Sequence, residues 1–344
     1  MYPTSPRRTI WQAAGAAAIV LSAGAQSASS QVILENDQMR LELIGLKRWT
    51  LPMIQDSLRR YAPKDSLLSH ACAAVLREKL KFADASVIYS TTTIGDQVMK
   101  PYLAVTVVEP QDSGLIRYRG PFGNSLPARR AWRPIRAIFE KHNLAFQQAV
   151  QRSDFLWSDR ALPVADSGLR PALPLRRFLR AHSTAKDRHV ALVTLSANGN
   201  STDRVVAVVI LANFASSDST WWALTDALRD PAASVRATAA QVLTALSRRA
   251  PRRVNWAPAT STLRALLDGT NLFAHSEVME VLAATEIDPA MARPLLAGGG
   301  YIVLAKLRSQ GMAERQASRR FLVQVAGHDL GESSTAWQDW LRGL

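Results

Sequence analysis

One cysteine in 344 residues leaves no intramolecular disulfide and no cysteine-rich zinc module. Histidine is scarce as well: the six, at positions 70, 142, 182, 189, 275 and 328, never fall at metal-ligand spacing. No uncharged apolar run reaches the about 20 residues that a membrane-spanning helix needs. With a mean hydropathy of −0.05, this excludes a polytopic membrane protein. Also missing are Gly-x-Ser-x-Gly, a phosphate-binding P-loop, the dinucleotide glycine fingerprint and His-Glu-x-x-His. The sequence therefore reads as a non-enzyme with no catalytic residue, metal or cofactor. An active site assembled from dispersed residues leaves no local motif, so that alternative stays open.

What is present is a globular chain, 47% apolar and 20% charged, long enough for two or three domains. Lys+Arg number 42 against 28 Asp+Glu, a net charge of +14, and Arg dominates Lys by 34 to 8. The excess is local: residues 120–260 carry 20 basic against 9 acidic side chains, or +11 of the total.

The first segment reads as an address. Residues 1–12 are polar and hold Arg7-Arg8, residues 13–25 are apolar and uncharged, and Ala23-Gly24-Ala25 is a small-x-small cleavage site. Arg7-Arg8-Thr9-Ile10-Trp11 partly matches the twin-arginine export motif, which leaves the route open between that and the general one. An export signal peptide over 1–25, cleaved after Ala25, places the protein in the periplasm or outside the cell; uncleaved, it serves as an anchor helix. N-terminal sequencing of exported protein is expected to start at Gln26, and a start at Met1 contradicts cleavage.

A small α+β module follows over 39–120. Residues 39–44 alternate as a half-buried strand, 51–62 show Leu51, Ile54, Leu58 and Tyr61 at helical spacing, and Pro63 ends that helix. Ser66 caps a second helix whose stripe is Leu67, Leu68, Ala71, Val75, Leu76 and Leu80. Residues 84–93 and 101–109 are β-branched and alternating, and Gly95-Asp96-Gln97 lies near the turn between them. Residues 115–119 either end the last strand or start a linker. Cys72, among Ala71, Ala73 and Ala74, reads as a small buried hydrophobe.

The order strand–helix–helix–strand–strand resembles a POTRA-type domain, a periplasmic module of outer-membrane assembly and secretion proteins. The resemblance is carried by Leu43-Ile44-Gly45-Leu46, Leu80-Lys81-Phe82, Ala85-Ser86-Val87, Val107-Val108-Glu109-Pro110 and Ile116-Arg117-Tyr118-Arg119-Gly120. Lys81-Phe82 stands where the family's usual glycine precedes the second strand. The resemblance implies binding of other chains, often by strand addition to a sheet edge.

The rest reads as mainly α. Residues 121–170 are expected to form a linker: turn-rich at 120–127, a basic helix at 128–152 with Trp132, Ile135, Ile138, Phe139 and Phe146, then a loop at 158–174. From 171 to 344, helices of 10–18 residues alternate with short turns. Within them Arg recurs with a small residue at +3 and Leu at +7: Arg188-Ala191-Leu195, Arg204-Ala207-Leu211, Arg236-Ala239-Leu243 and, less fully, Arg315-Ser318-Leu322. Asp230-Pro231 breaks the chain between two helices of the best copy, and the final Trp337, Trp340 and Leu341 sit as in a capping helix. This pattern resembles the HEAT repeat of armadillo-like α-solenoids, with four or five hairpins expected. The fold expected is thus a HEAT-like α-α superhelix preceded by a β-α-α-β-β module. Gly298-Gly299-Gly300 is read as a break between helical segments.

The candidate binding residues are basic: Arg129, Arg130, Arg133 and Arg136; Arg176, Arg177 and Arg180; and Arg248, Arg249, Arg252 and Arg253. Arg188, Arg204 and Arg236 are assigned a structural role between repeats. Glu277 with Glu280, and Asp226 with Asp230, read as solvated pairs or turn signals. The expected function is a non-enzymatic exported scaffold or adaptor that binds a protein partner, with an anionic membrane or envelope surface as the alternative ligand of the arginines. No nucleic acid is expected, since an exported protein meets none in the cytoplasm.

Overall fold

The computed structural model describes residues 31–35, 39–63, 72–90, 93–94, 97–98, 101–125, 129–152, 156–157, 164–267, 275–309 and 312–344. The expected signal peptide, Ser66 with Leu67, Leu68 and Ala71, and Gly95-Asp96 lie outside the described residues. The chain divides into two compact units at Glu109–Pro110. The first holds a small sheet and two helices, and the second is helical.

In the first unit, β1 (Gln31–Glu35) and β2 (Arg40–Ile44) precede α1 (Leu51–Tyr61) and α2 (Cys72–Glu78). Then come β3 (Asp84–Ser90), a separate two-residue pair β4 (Thr93–Ile94) and β5 (Gln97–Val98), and β6 (Tyr102–Val108). The sheet order is β1-β2-β6-β3. β2 runs parallel to β6, with Leu41 beside Leu103 and Leu43 beside Val105, while β3 is antiparallel to β6. A parallel neighbour requires a crossover connection, and the two helices supply it. Their apolar sides, Ile54 and Leu58 on α1 and Cys72, Ala73 and Leu76 on α2, close over Leu43, Leu103, Val105 and Val107. The element order read from the sequence is therefore present. The hairpin partner β1 is an addition to it, and Tyr61 is a correction: it ends α1 exposed, with Arg60 over its ring.

Lys81 explains itself here. Its φ is +60°, in the left-handed region that glycine adopts freely, and Phe82 N bonds back to Leu76 O to close the end of α2. The backbone makes the turn a glycine would make. At the other end of the module, Glu109 is fully buried, and its Oε1 accepts from the amides of Lys47, Arg48 and Trp49 at 2.6, 2.8 and 2.9 Å. One carboxylate thereby ties the end of β6 to the loop after β2. We expect Glu109→Ala to destabilise this unit by about 3 kcal/mol, because three donors lose a charged acceptor. Chemical denaturation checks it, and a loss below about 1 kcal/mol contradicts the role.

The second unit starts with a 3-10 turn at Pro110–Leu115 and an irregular segment over 116–125. Its α-helices are α3 (Arg133–Lys141), α4 (Asn143–Gln151), α5 (Pro174–Ala181), α6 (Ala185–Ala197) and α7 (Ser201–Leu211). They continue as α8 (Asp218–Ala227), α9 (Ala233–Arg249), α10 (Thr260–Leu267), α11 (His275–Ala284), α12 (Pro289–Leu307), α13 (Met312–Ala326) and α14 (Ser334–Arg342). The caps follow the sequence: Thr184 and Asp187 form a capping box on α6, Asn200 caps α7, Asp288 caps α12 and Ser333 caps α14.

From α6 onward the packing has a simple rule. Each helix pairs with the next as a hairpin, α6 with α7, α8 with α9, α10 with α11 and α12 with α13. Each also touches the helix two places on, so α7, α9, α11 and α13 make one layer and α6, α8, α10, α12 and α14 another. The recurring positions sit inside this stack. Ala191 and Leu195, Ala207 and Leu211, Ala239 and Leu243, and Ser318 and Leu322 are all buried. The small residue lets a neighbouring helix approach, and the Leu fills the space beyond it. Helix α7 is buried on every side from Asp203 to Leu211, which its Val-Val-Ala-Val-Val-Ile-Leu sequence permits. On α14, Trp337 is buried, donates to Gly331 O at 2.9 Å and meets Trp340 edge-on.

Three expectations change. Residues 121–170 are no free linker, because Trp132, Ile135, Ile138, Phe146, Ala149 and Val150 belong to the core shared with the later helices. The basic helix expected over 128–152 is two helices, interrupted at His142. Gly298–Gly300 does not break a helix, since α12 runs through it. Packing against α10, α11, α13 and α14 outweighs the about 3 kcal/mol that three interior glycines cost.

Candidate binding surface

The most closely built cluster of charges lies where the turn between α6 and α7 meets the turn between α8 and α9. Asp230 is fully buried in the second turn. Arg204, from the first turn of α7, grips it at both oxygens, Nε to Oδ2 at 2.9 Å and Nη2 to Oδ1 at 2.8 Å, and also donates to the carbonyls of Asn198 and Gly199. Arg119 adds a third cation bond, Nη2 to Asp230 Oδ2 at 2.7 Å, and reaches Asp226 at 3.3 Å and Leu195 O at 2.9 Å. The Asp230 carboxylate also accepts from Ala232 N, at the start of α9. Burial opposes its charge, but the bonds from Arg204, Arg119 and Ala232 outweigh that and hold its pKa below the ordinary 3.8. Of the two readings of Asp230, solvated pair or turn signal, the first is corrected and the second holds: buried in the turn, it joins two hairpins. Asp226, half-buried, pairs with Arg229 and accepts from Thr262.

The second cation comes from an irregular strap over residues 117–125. Its backbone bonds to the helix turns, Arg119 N to Arg229 O at 2.8 Å and Gly123 N to Ala197 O at 3.0 Å, and Arg229 Nε donates to Arg117 O. The Phe122 ring lies under Arg204 at 3.9 Å and beside Arg119 at 5.2 Å, and Tyr118 lies under Arg236 at 5.1 Å. Gly199 has to be glycine for this approach, since a Cβ there would stand 2.6 Å from Gly123 O. Residues 115–119 therefore neither end the sheet nor hang free. The local sequence over 120–127 signals only turns; the matching signals, Gly123 and Gly199 with Arg119 and Asp230, are far apart in the chain.

The candidate arginines sort into paired and open. Arg136 bonds Asp203 at 3.1 Å and lies near Glu140, so it fastens α3 to the start of α7. Arg252 pairs with Asp218 at 2.6 Å, Arg248 approaches Glu280 at 4.0 Å, and Arg249 lies over Trp157 at 3.8 Å and donates to Ala212 O. Arg129 lies 5.8 Å from the Trp132 ring. Arg176 is half-buried and Arg180 exposed. Arg130, Arg133, Arg177 and Arg253 are exposed with no acidic partner among the described residues. Arg133 opens α3 and Arg177 lies on α5, and these helices pack together. The third group connects to the C-terminal end of α5: Arg249 lies over Trp157, which donates to Asn213, and Asn213 donates to Leu179 O and His182 O. Of the repeat arginines, Arg204 and Arg236 hold the turn around Asp230, Arg236 through Asp230 O and Pro231 O. Arg188 is half-buried and makes no ion pair among the described residues.

A second buried group joins α11, α12 and α13. Lys306 and Glu314 are buried, and Glu277 places its Oε2 in the interior with no hydrogen-bond partner, although part of its side chain reaches the surface. Burial pushes the Glu277 carboxyl above the ordinary 4.5; Lys306 opposes the rise, and Glu314 and Glu280 add to it. This corrects the solvated reading of Glu277. A raised folded-state pKa removes stability as pH climbs from the unfolded value through the folded one. We expect Glu277→Gln to melt higher than the wild type at pH 7 and level with it below pH 4, as thermal scans across that range will show. A lower melting temperature at pH 7 contradicts the assignment.

Among the described residues no three His, Cys, Asp or Glu side chains are placed to hold a metal ion, and no helix is long and apolar enough to cross a membrane. Cys72 is buried. His182 stacks on Phe178 and bonds its carbonyl, and His189 is exposed. Compared with known proteins, the chain matches no family model, no curated protein and no solved structure.

Proposed function

We propose that this protein is a non-enzymatic exported scaffold that binds another protein through a HEAT-like solenoid. The observation that carries the reading is the two-layer stack from α6 to α14, in which every copy of the Arg–small–Leu pattern buries its small residue and its Leu. Stacked hairpins expose a long continuous surface for their size, which suits a polypeptide partner. The first unit, with its strand–helix–helix–strand–strand order, is read as a POTRA-like module that assists by strand addition, and β3 is an edge strand of its sheet. Export to the periplasm or beyond rests on residues 1–25. Affinity capture from the envelope fraction is expected to recover a stoichiometric protein partner, and recovery of none contradicts the scaffold.

A second reading rests on three exposed arginines within the stretch that carries +11: Arg130 in the 3-10 turn before α3, Arg133 at the start of α3 and Arg177 on α5, which packs against α3. In that reading they hold the protein to an anionic membrane or envelope surface. Binding to vesicles of anionic phospholipid is then expected to weaken steeply between 50 and 300 mM salt, as about one Debye length of screening requires. Salt-insensitive binding, or none, rejects it.

A further inference from the structure

The strap over residues 117–125 sits on the helical unit as a ligand sits in a site. It has no helix or strand of its own, it bonds by its backbone to turn carbonyls, and it places one arginine and one aromatic ring in prepared positions. The receiving side is complete without it. Asp230 keeps both bonds from Arg204, and Asp226 keeps Arg229, so withdrawal of Arg119 leaves no unpaired buried charge. The strap itself has little apolar burial. Tyr118, Gly120, Pro121, Gly123, Asn124 and Ser125 are exposed, and Phe122 is only half-buried. Its hold is mainly polar, through the largely buried Arg119 side chain and two backbone bonds, and segments with few apolar contacts open at lower free energies than the core.

We propose that the cleft along the α6–α7 and α8–α9 turns is a peptide-binding site, filled in cis by residues 117–123. In trans it takes a polypeptide segment carrying an arginine followed three residues later by an aromatic residue. The arginine enters between Asp226, Asp230 and Leu195 O, the ring covers Arg204, and the backbone passes over Gly199. The strap then acts as a competitor that sets how readily a partner is taken. This rests on the scaffold reading and gives that reading a specific contact.

The test uses the full chain and a fluorescent peptide with the sequence of residues 114–125. In Arg119→Ser/Phe122→Ser the strap loses its anchors, and the peptide is expected to bind at least tenfold more tightly than to the wild type. Replacing the peptide's own arginine at position 119 by alanine, or adding Gly199→Val to the protein, is expected to weaken that binding at least tenfold. If the double variant does not fold, Phe122→Ser alone keeps the ion pairs and is expected to give the same ordering with a smaller factor. A folded variant that does not bind the peptide, or binds it regardless of Gly199→Val or of scrambling, overturns the proposal. Capture of an envelope partner that survives Gly199→Val also overturns it while leaving the scaffold reading intact. Peptide binding without any captured partner does the reverse.

Discussion

Replacing Asp230 by alanine is expected to lower the stability of the helical unit by about 3–5 kcal/mol. The magnitude is that of breaking a buried ion pair from one side, which leaves the other charge uncompensated. Arg204 is 3% exposed and cannot turn to water without unpacking α7, which is buried on all sides. Arg119 loses the same partner, and the start of α9 loses the acceptor for Ala232 N. For a unit of this size the loss corresponds to a fall in melting temperature of about 10 °C. The pH dependence gives a second signature. A depressed carboxylate pKa contributes stability above the ordinary 3.8 that is lost as pH falls through the folded-state value. The wild type and Asp230→Asn are thus expected to differ most at neutral pH and to converge in acid. A variant that melts within 2 °C of the wild type at pH 7 would remove Asp230 from its joining role.

Trp221→Ala should cost about as much, for a different reason. Trp221 on α8 is among the largest fully buried side chains, and its Nε1 donates to Ala215 O at 2.8 Å. Alanine leaves a cavity of indole size between hairpins and an unbonded carbonyl, and large-to-small changes of this kind cost about 3–5 kcal/mol. The two substitutions separate by pH. The Trp221→Ala deficit persists in acid, whereas the Asp230→Ala deficit fades. A Trp221→Ala loss under 1 kcal/mol, measured by denaturant titration, would mean that α8 is not stacked as described.

Much of this arrangement is legible in the sequence where the cause is local. Helical period and the Asp230-Pro231 break locate α8 and α9, and the spacing of Arg, a small residue and Leu marks the positions that become buried. Alternation in β2 and β6 identifies them as strands; their parallel pairing follows from the two helices between them. What escapes reading is whatever depends on partners distant in the chain. Asp230 follows a helix end and precedes a proline, so its neighbours suggest only a turn. Its burial comes from Arg204, 26 residues back, and Arg119, 111 residues back. Glu277 and Glu280, one turn apart, look like a solvated pair until Lys306 and Glu314 cover one of them. Gly298–Gly300 fails in the opposite direction, with local propensity overruled by helices packed around it.

The arginines divide along the same line. A basic residue within reach of a buried carboxylate, as Arg136 is of Asp203, becomes a fastening; one without, as Arg133 and Arg177 are, stays exposed. No count of charges distinguishes the two, which is why a net charge of +14 overstates the surface open to an anionic partner.

The claim that the helical stack binds a protein is tested most directly by crosslinking in the producing cell followed by mass spectrometry. A photoreactive residue at Val193, exposed on α6, samples the stack itself, and another at Arg177, exposed on α5, samples the helix just before it. The account predicts crosslinks from at least one position to a single recurring envelope protein, at peptides that map to one face of the stack. Crosslinks to no protein, or to a random sample of abundant neighbours, would contradict it.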